Sequence, residues 1–267
     1  MKPGFRLKYT RLMSLTLTPL QQIPLIHHGD NLVDIILSSL KHNNLQLEDG
    51  DILVFAQKII SKSEGRIVNL VTVKPSPQAV ELAKLTDKDL RLVELILSES
   101  NEVLRTRPGT IIVEHKLGFV CANAGIDHSN VAGLGDSNEE WVLLLPKDPD
   151  LSARTLQKEI QIQTRKQIGV LIIDSHGRAW RNGTVGVAIG LAGMPGLEDL
   201  RGHSDLFDFK LRITQIGAAD ELAAGASLVM GQAAEGTPVV HARGFPYPLR
   251  GGSLNELIRP KDQDLFR

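Results

Sequence analysis

Two aspartates at the ends of apolar runs are the side chains in this 267-residue sequence best placed to do chemistry. Asp127 closes the apolar-to-small stretch that begins at Phe119 and continues through His128 and Ser129 to Asn130. Asp174 closes the run Gly169-Val-Leu-Ile-Ile and is followed by Ser175. A carboxylate carried by a buried strand to the rim of a sheet suits a hard cation or a metal-bound phosphate. Ser175 and Gln232 add oxygen donors, and with Asp127 and Asp174 they make a set that suits magnesium or manganese. Lys58, Lys62, Arg178, Arg181 and Asn130 supply donors for phosphate oxygens. Residue chemistry alone leaves two readings open: a metal-assisted phosphate site, or loop aspartates that cap turns. The polar stretch Gln57–Arg66 has a similar double reading, as an anion site or as a solvated strand–turn edge.

Composition removes several other functions. Thirty basic against thirty-one acidic residues leave a formal net charge of −1, so charge gives no support for generic nucleic-acid or anionic-membrane binding. Cys121 is the single cysteine; a disulfide framework and a cysteine-rich zinc site are excluded, and its apolar neighbours read as packing. The chain has no Walker loop, no Gly-x-Gly-x-x-Gly, no Gly-x-Ser-x-Gly and no His-Glu-x-x-His. His27, His28 and His128 read as surface or core histidines rather than metal ligands. Residues 1–20 lack the continuous apolar run of a secretory signal, and no segment is apolar for long enough to span a bilayer. The reading is a cytoplasmic protein.

The elements that must position these residues follow from periodicity. An edge strand is expected around 11–17, and Ile23-Pro-Leu-Ile26 is a strand end or loop. Apolar residues at 32, 33, 36, 37 and 40 predict a helix capped by Asp30. Strands are expected at 52–56, 67–74, 110–114, 118–121, 141–145, 169–173, 211–216 and 239–242. Thr86 to Asp89 resembles a capping box ahead of a helix through Leu90, Val93 and Leu97, and Arg105 to Gly109 a basic turn. A helix runs from about Leu156 to Lys166, and residues 174–181 form a loop. Gly183, Gly186, Gly190 and Gly193 imply close backbone approach or a ligand wall. An alanine-rich helix spans Ala218–Met230. These elements predict an α+β fold with mixed, largely antiparallel sheets and helices packed on them. Residues 1–20 read as an extension, 21–245 as a catalytic domain with room for two subdomains, and 246–267 as a tail; extension and tail are candidate dimer contacts.

Several blocks taken together resemble one family. They are Ile23–Ile26, Asp51–Gly65, Gly118–Asp127 with Ser129-Asn130, Asp174-Ser175 with Gly177-Arg178 and Trp180-Arg181, and Ala219–Ala224 with Leu228–Ala233. The chain is similar over about residues 20–245 to the gamma-glutamyl ligases of the deazaflavin coenzyme F420, in their stand-alone form. The resemblance implies a GTP-dependent ligase that joins a carboxylate of the coenzyme precursor to L-glutamate through an acyl phosphate. It implies a nucleotide site of neither Walker nor Rossmann type, two divalent cations (magnesium or manganese), room for a monovalent cation, and an intertwined homodimer. Asp127 and Asp174 would ligate the first metal, Ser175 and Gln232 the second, and Asp127, Asp174 and Lys62 would be catalytic. GTP would meet Ile23, Pro24, Leu25, Ile26, Gln57, Lys58, Lys62, Asn130 and the segment Met230, Gly231, Gln232, Ala233, Ala234, Glu235, Gly236, Thr237. The chain departs from the family pattern at His176, Ala179, Leu200 and Asp208, where relatives tend to have an aromatic, a proline, a tyrosine and a glycine. Those changes leave two alternatives: a ligase of the same fold for another carboxylate, or a nucleotide-binding homologue without turnover.

Overall fold

The computed structural model describes residues 14–128 and 140–264, so Asn130 and the first residues of the extension lie outside them. In chain order the strands are β1 (Thr16–Pro19), β2 (Ile52–Ala56), β3 (Ile67–Asn69), β4 (Ser100–Arg107), β5 (Thr110–His115) and β6 (Val120–Ala122). They continue with β7 (Trp141–Leu143), β8 (Gly169–Arg178), β9 (Arg181–Ala192), β10 (Glu198–Asp199), β11 (Gln215–Ile216) and β12 (Val239–Arg243). The helices are α1 (Leu32–His42), α2 (Gln57–Ser63), α3 (Pro77–Thr86), α4 (Leu90–Ser98), α5 (Pro149–Thr164) and α6 (Ala218–Met230).

The central sheet has the order β1-β12-β2-β8-β9. Only β2 and β8 pair in parallel within it. A second sheet, β4-β5-β6, and the short pairs β3-β7 and β10-β11 are antiparallel. The α+β expectation holds. Among the described residues no helix is long and apolar enough to cross a membrane.

Alternation along the central strands supplies two apolar faces. Leu53, Phe55, Val170 and Ile172 face α1, α2 and α5. Ile52, Val54, Leu171 and Ile173 face α6. A third cluster joins α3 and α4 to β5, Cys121, Ala124 and Val142. Each fully buried aliphatic side chain here contributes about 1.5–3 kcal/mol. Of the β9 glycines, Gly186 and Gly190 serve close approach, while Gly183 (φ 80°) has open space around it. A Cβ on Gly186 would stand 2.5 Å from the carbonyl oxygen of Ala223 in α6, and one on Gly190 would collide with Pro149 at the start of α5.

Several local expectations need correction. Asn31, not Asp30, caps α1, accepting from the Val33 and Asp34 amides at 3.0 and 3.2 Å, while Asp30 closes the preceding turn on the His27 amide. Thr86 ends α3, and Asp89 caps α4 by itself. Arg105 and Arg107 belong to β4, so only the two residues after them turn. Beyond Asn69 the chain leaves its strand for a 3-10 turn, and the strand expected at 211–216 is confined to Gln215–Ile216. The segment 57–63 is a helix, and the supposed loop at 174–178 continues β8. The tail packs on its own chain: Glu256 accepts from the amides of Gly196 and Leu197, and Lys261 pairs with Glu114 at 2.7 Å.

One buried ionic knot ties the far end of the central sheet. Asp51, just ahead of β2, is 1 % exposed and accepts from Arg243 Nε and Nη2 at 2.9 and 2.7 Å and from His241 Nε2 at 2.8 Å. Burial pushes the Asp51 carboxyl upward, but the Arg243 and His241 hydrogen bonds outweigh it and hold the group well below the usual carboxylate range. A depressed folded-state pKa gives stability that is present above the unfolded value, near 4, and lost as pH falls below it. Asp51→Ala leaves the buried His241 nitrogen unmatched, while Arg243 keeps Gln46 and Glu48, and should cost about 1–3 kcal/mol at pH 7 in chemical denaturation. The difference from the parent protein should shrink below pH 4, and a constant difference would contradict this assignment.

Candidate functional site

Strand direction gathers the expected residues at one edge of the central sheet. Parallel pairing sets Ala56 opposite Ile173, so β2 and β8 point their C-terminal ends the same way. Clefts beyond the carboxyl ends of parallel strands are the usual place for ligands in such sheets. β12 runs against β2, and the Ala56 amide donates to Pro238 at 2.8 Å, so the Met230–Thr237 loop enters at this edge. β1 runs against β12, and the Leu20 amide donates to Val239 at 2.8 Å, so the Ile23–Ile26 loop leaves here too. Within that loop Ile26 is buried while Leu25 is 81 % exposed.

Asp127 arrives from the second sheet. After β6 the chain turns through Asn123, Ala124 and Gly125, all at positive φ (51°, 52° and 65°). Asn and Gly tolerate that region, whereas Ala124 is strained there, as residues at functional sites often are. The Asn123 side chain accepts from the Ile111 amide at 3.0 Å, and Asp127 pairs through its backbone with Leu143. The carboxylate is thereby delivered to the first turn of α2. Gln57 Nε2 donates to its Oδ2 at 2.9 Å, and Lys58 Nζ lies 3.4 Å from Oδ1. Gln57 itself is buried, its Oε1 accepting from Ser61 Oγ at 2.9 Å one helical turn on.

Charge is concentrated at this junction. Burial pushes the Asp127 carboxyl above its usual value; Lys58 opposes that rise and the negative charge of Asp174 adds to it. Two carboxylates close enough for the charge of one to bear on the other, at a sheet edge, have the chemistry that suits a hard cation. Lys62, four residues after Lys58 on α2, has its ammonium lowered by burial and by the charge of Lys58. Two neighbouring ammonium groups suit the several oxygens of a polyphosphate.

The second expected donor pair also meets. Ser175 Oγ donates to Gln232 Oε1 at 2.8 Å, and Gln232 Nε2 donates to Ser227 Oγ at 2.8 Å. That second bond turns the amide oxygen, not the nitrogen, toward Ser175 and fits an oxygen-seeking cation. Successive residues of a strand point to opposite faces, so Ser175 serves the α6 side of β8 and Asp174 the other. Beyond buried Met230, Gly231 (φ 79°) ends α6. Glu235 accepts from the Ala233 amide at 2.8 Å, Ala234 and Gly236 are exposed, and Thr237 Oγ1 donates to the Met230 carbonyl at 3.0 Å. Arg178 and Arg181 stand exposed at the β8–β9 turn. Cys121 is packing: burial and nearby Asp174 push its thiol up to about 12.

His176 is a partner of Asp174 that the sequence pattern does not announce. A carboxylate only accepts, so the 3.1 Å contact is His176 Nε2–H donating to Asp174 Oδ2. Residues i and i+2 share a strand face, and reading 174–181 as a loop concealed that spacing.

An α+β protein that collects paired carboxylates, paired lysines and two loops at one sheet edge, without a Walker or dinucleotide motif, is the class defined by this fold and site. The family described as F420-0:Gamma-glutamyl ligase matches residues 21–244, and the chain belongs to it. The chain is 45 % identical over 257 residues to the coenzyme F420:L-glutamate ligase of Methanothermobacter thermautotrophicus, covering 96 % of this chain and all of that protein. It is 48 % identical over 221 residues to the protein so named in Methanococcus maripaludis strain C6, and 47 % over 221 residues to that of Methanocaldococcus jannaschii. Each of these two alignments covers 83 % of this chain and 86 % of the relative.

Asp127→Asn removes a carboxylate whose charged form burial disfavours. Calorimetric titration should show loss of manganese binding, and the metal-free protein should melt no lower than the parent at pH 7. Undiminished manganese binding would contradict the assignment of Asp127.

Proposed function

We propose that this protein is a GTP-dependent, divalent-metal-dependent ligase that forms an amide between a carboxylate of the coenzyme F420 precursor and the amine of L-glutamate. The observation that carries the proposal is the meeting of Asp127, Asp174, Lys58 and Lys62 at the β2–β8 edge in a chain of this family.

The precursor carboxylate attacks the γ-phosphorus of GTP; the bond to the β-phosphate oxygen breaks, and GDP leaves. The resulting acyl phosphate is attacked at carbon by the glutamate amine, which loses a proton as inorganic phosphate departs. Both steps move negative charge among oxygens, so positioning and electrostatics dominate and no protein nucleophile is required. Lys58 and Lys62 donate to phosphate oxygens, with burial strengthening each contact. Gln57 holds Asp127, and the Ile23–Ile26 and Met230–Thr237 loops flank the nucleotide. Asp127 with Asp174, and Ser175 with Gln232, would hold the two cations, which neutralise phosphate charge when bound. Fixing the reactants in line supplies much of the remaining rate. The same reading includes a homodimer, for which Phe207 and Ile213, 90 % and 88 % exposed, offer apolar surface.

Reconstitution tests the proposal. Purified protein with GTP, manganese, L-glutamate and the deazaflavin precursor should yield GDP, phosphate and a product heavier by one glutamyl residue in mass spectrometry. Release of GDP only with another carboxylate would move the chain to a different acceptor. Nucleotide binding without GDP release under any acceptor would sink the ligase reading.

A further inference from the structure

A row of rings crosses from the second sheet to the central one beside Asp174. His115, the last residue of β5, is 2 % exposed, and its Nδ1 accepts from the Leu117 amide at 3.0 Å. That bond places the ring proton on Nε2, which has no hydrogen-bond partner among the described residues. Burial first, then the charges of Arg66, His176 and Lys116, lower the His115 pKa to about 4, so the ring is neutral near pH 7. Phe119 stacks on His115 with centroids 5.3 Å apart and planes 10° from parallel. His176 packs on Phe119 at 5.2 Å and 51°. The row ends where His176 Nε2 donates to Asp174 Oδ2.

We propose that His176 is a positioning residue that orients the Asp174 carboxylate for its cation, and that Phe119 and His115 hold His176 in place. The proposal rests on the reading of Asp174 as a metal ligand. His176 lies two residues beyond Asp174 on the ribbon where β8 has outrun β2 and pairs only with β9. Among the described residues no strand is therefore hydrogen-bonded to β8 on the β2 side at the level of Asp174. A short carboxylate side chain left free there would lose rotamer freedom on binding a cation. The His176 hydrogen bond removes that freedom beforehand, and the ring contacts remove it from His176 in turn.

The row also links the two carboxylates. Phe119 begins the segment that, through the turn at Asn123–Gly125, ends in Asp127. The side chain that steadies the Asp174 partner thus belongs to the strand connection that delivers Asp127. Hydrogen-bond partners of ligating groups are typically worth about 10–100-fold in metal affinity. An ordinary packing role for His176 would make no such demand on its nitrogen.

The test separates the donor from the ring. His176→Phe keeps an aromatic against Phe119 and loses the donor; His176→Gln keeps an N–H donor and loses the ring. Calorimetric titration with manganese should show His176→Phe binding at least about 10-fold more weakly than the parent, with the metal-free melting temperature unchanged. His176→Gln should recover most of that loss. Parent-like binding by His176→Phe, or equal weakness of both variants, would overturn the proposal while leaving the metal reading intact. Absence of manganese binding by the parent protein would overturn both.

Discussion

The parallel pairing of β2 with β8 is the constraint on which the rest of this site depends. Were β8 antiparallel to β2, Asp174 and Ser175 would emerge at the opposite end of the sheet from α2. Because Ala56 lies opposite Ile173, the chain leaves β2 into the first turn of α2 just where β8 carries its polar residues past the sheet. The antiparallel neighbours then bring two more loops to the same edge, one leaving β1 and one entering β12. The register is held elsewhere: at the far end by the buried Asp51–His241–Arg243 knot, and on the faces by helices seated on Gly186 and Gly190.

The second sheet supplies what the first lacks. Asp127 comes through a turn with three consecutive residues at positive φ, including a non-glycine Ala124. Its carboxylate enters a partly buried place already under the influence of Asp174 and is compensated there by Lys58 and Gln57. Burial acts on both signs of charge at this junction, raising the Asp127 carboxyl and lowering the Lys62 ammonium. Each group is less content in its charged form than it would be in water. A cation between carboxylates and a polyphosphate on the lysines would relieve both, which is the electrostatic sense of a site built to be filled.

Legibility in the sequence followed the strength of local patterns. The helix Ala218–Met230 and the strands around Ile52–Ala56 and Val239–Ala242 could be read because their periodicity and stop signals agreed with their tertiary environment. Asp127 and Asp174 stood out because each ended an apolar run. The helix α2 did not, since seven residues rich in Lys, Ser and Gln give little apolar repeat, and its buried polar face is satisfied by Ser61 and Asp127. Apolar patterning ends the expected strand at Ile173, where the chain leaves the core, although pairing with β9 continues to Arg178. That truncation hid His176. Which loops share an edge depends on strand order and direction, which no local pattern encodes.

The central claim is that Asp127 and Asp174, from different sheets, hold one cation at the nucleotide's phosphates. Anomalous diffraction at the manganese edge, from crystals grown with manganese and a non-hydrolysable GTP analogue, addresses it directly. The account predicts an anomalous peak bonded to oxygens of both carboxylates at about 2.1 Å, next to the analogue's phosphates. Nucleotide bound at this edge with manganese ligated by neither aspartate would contradict it.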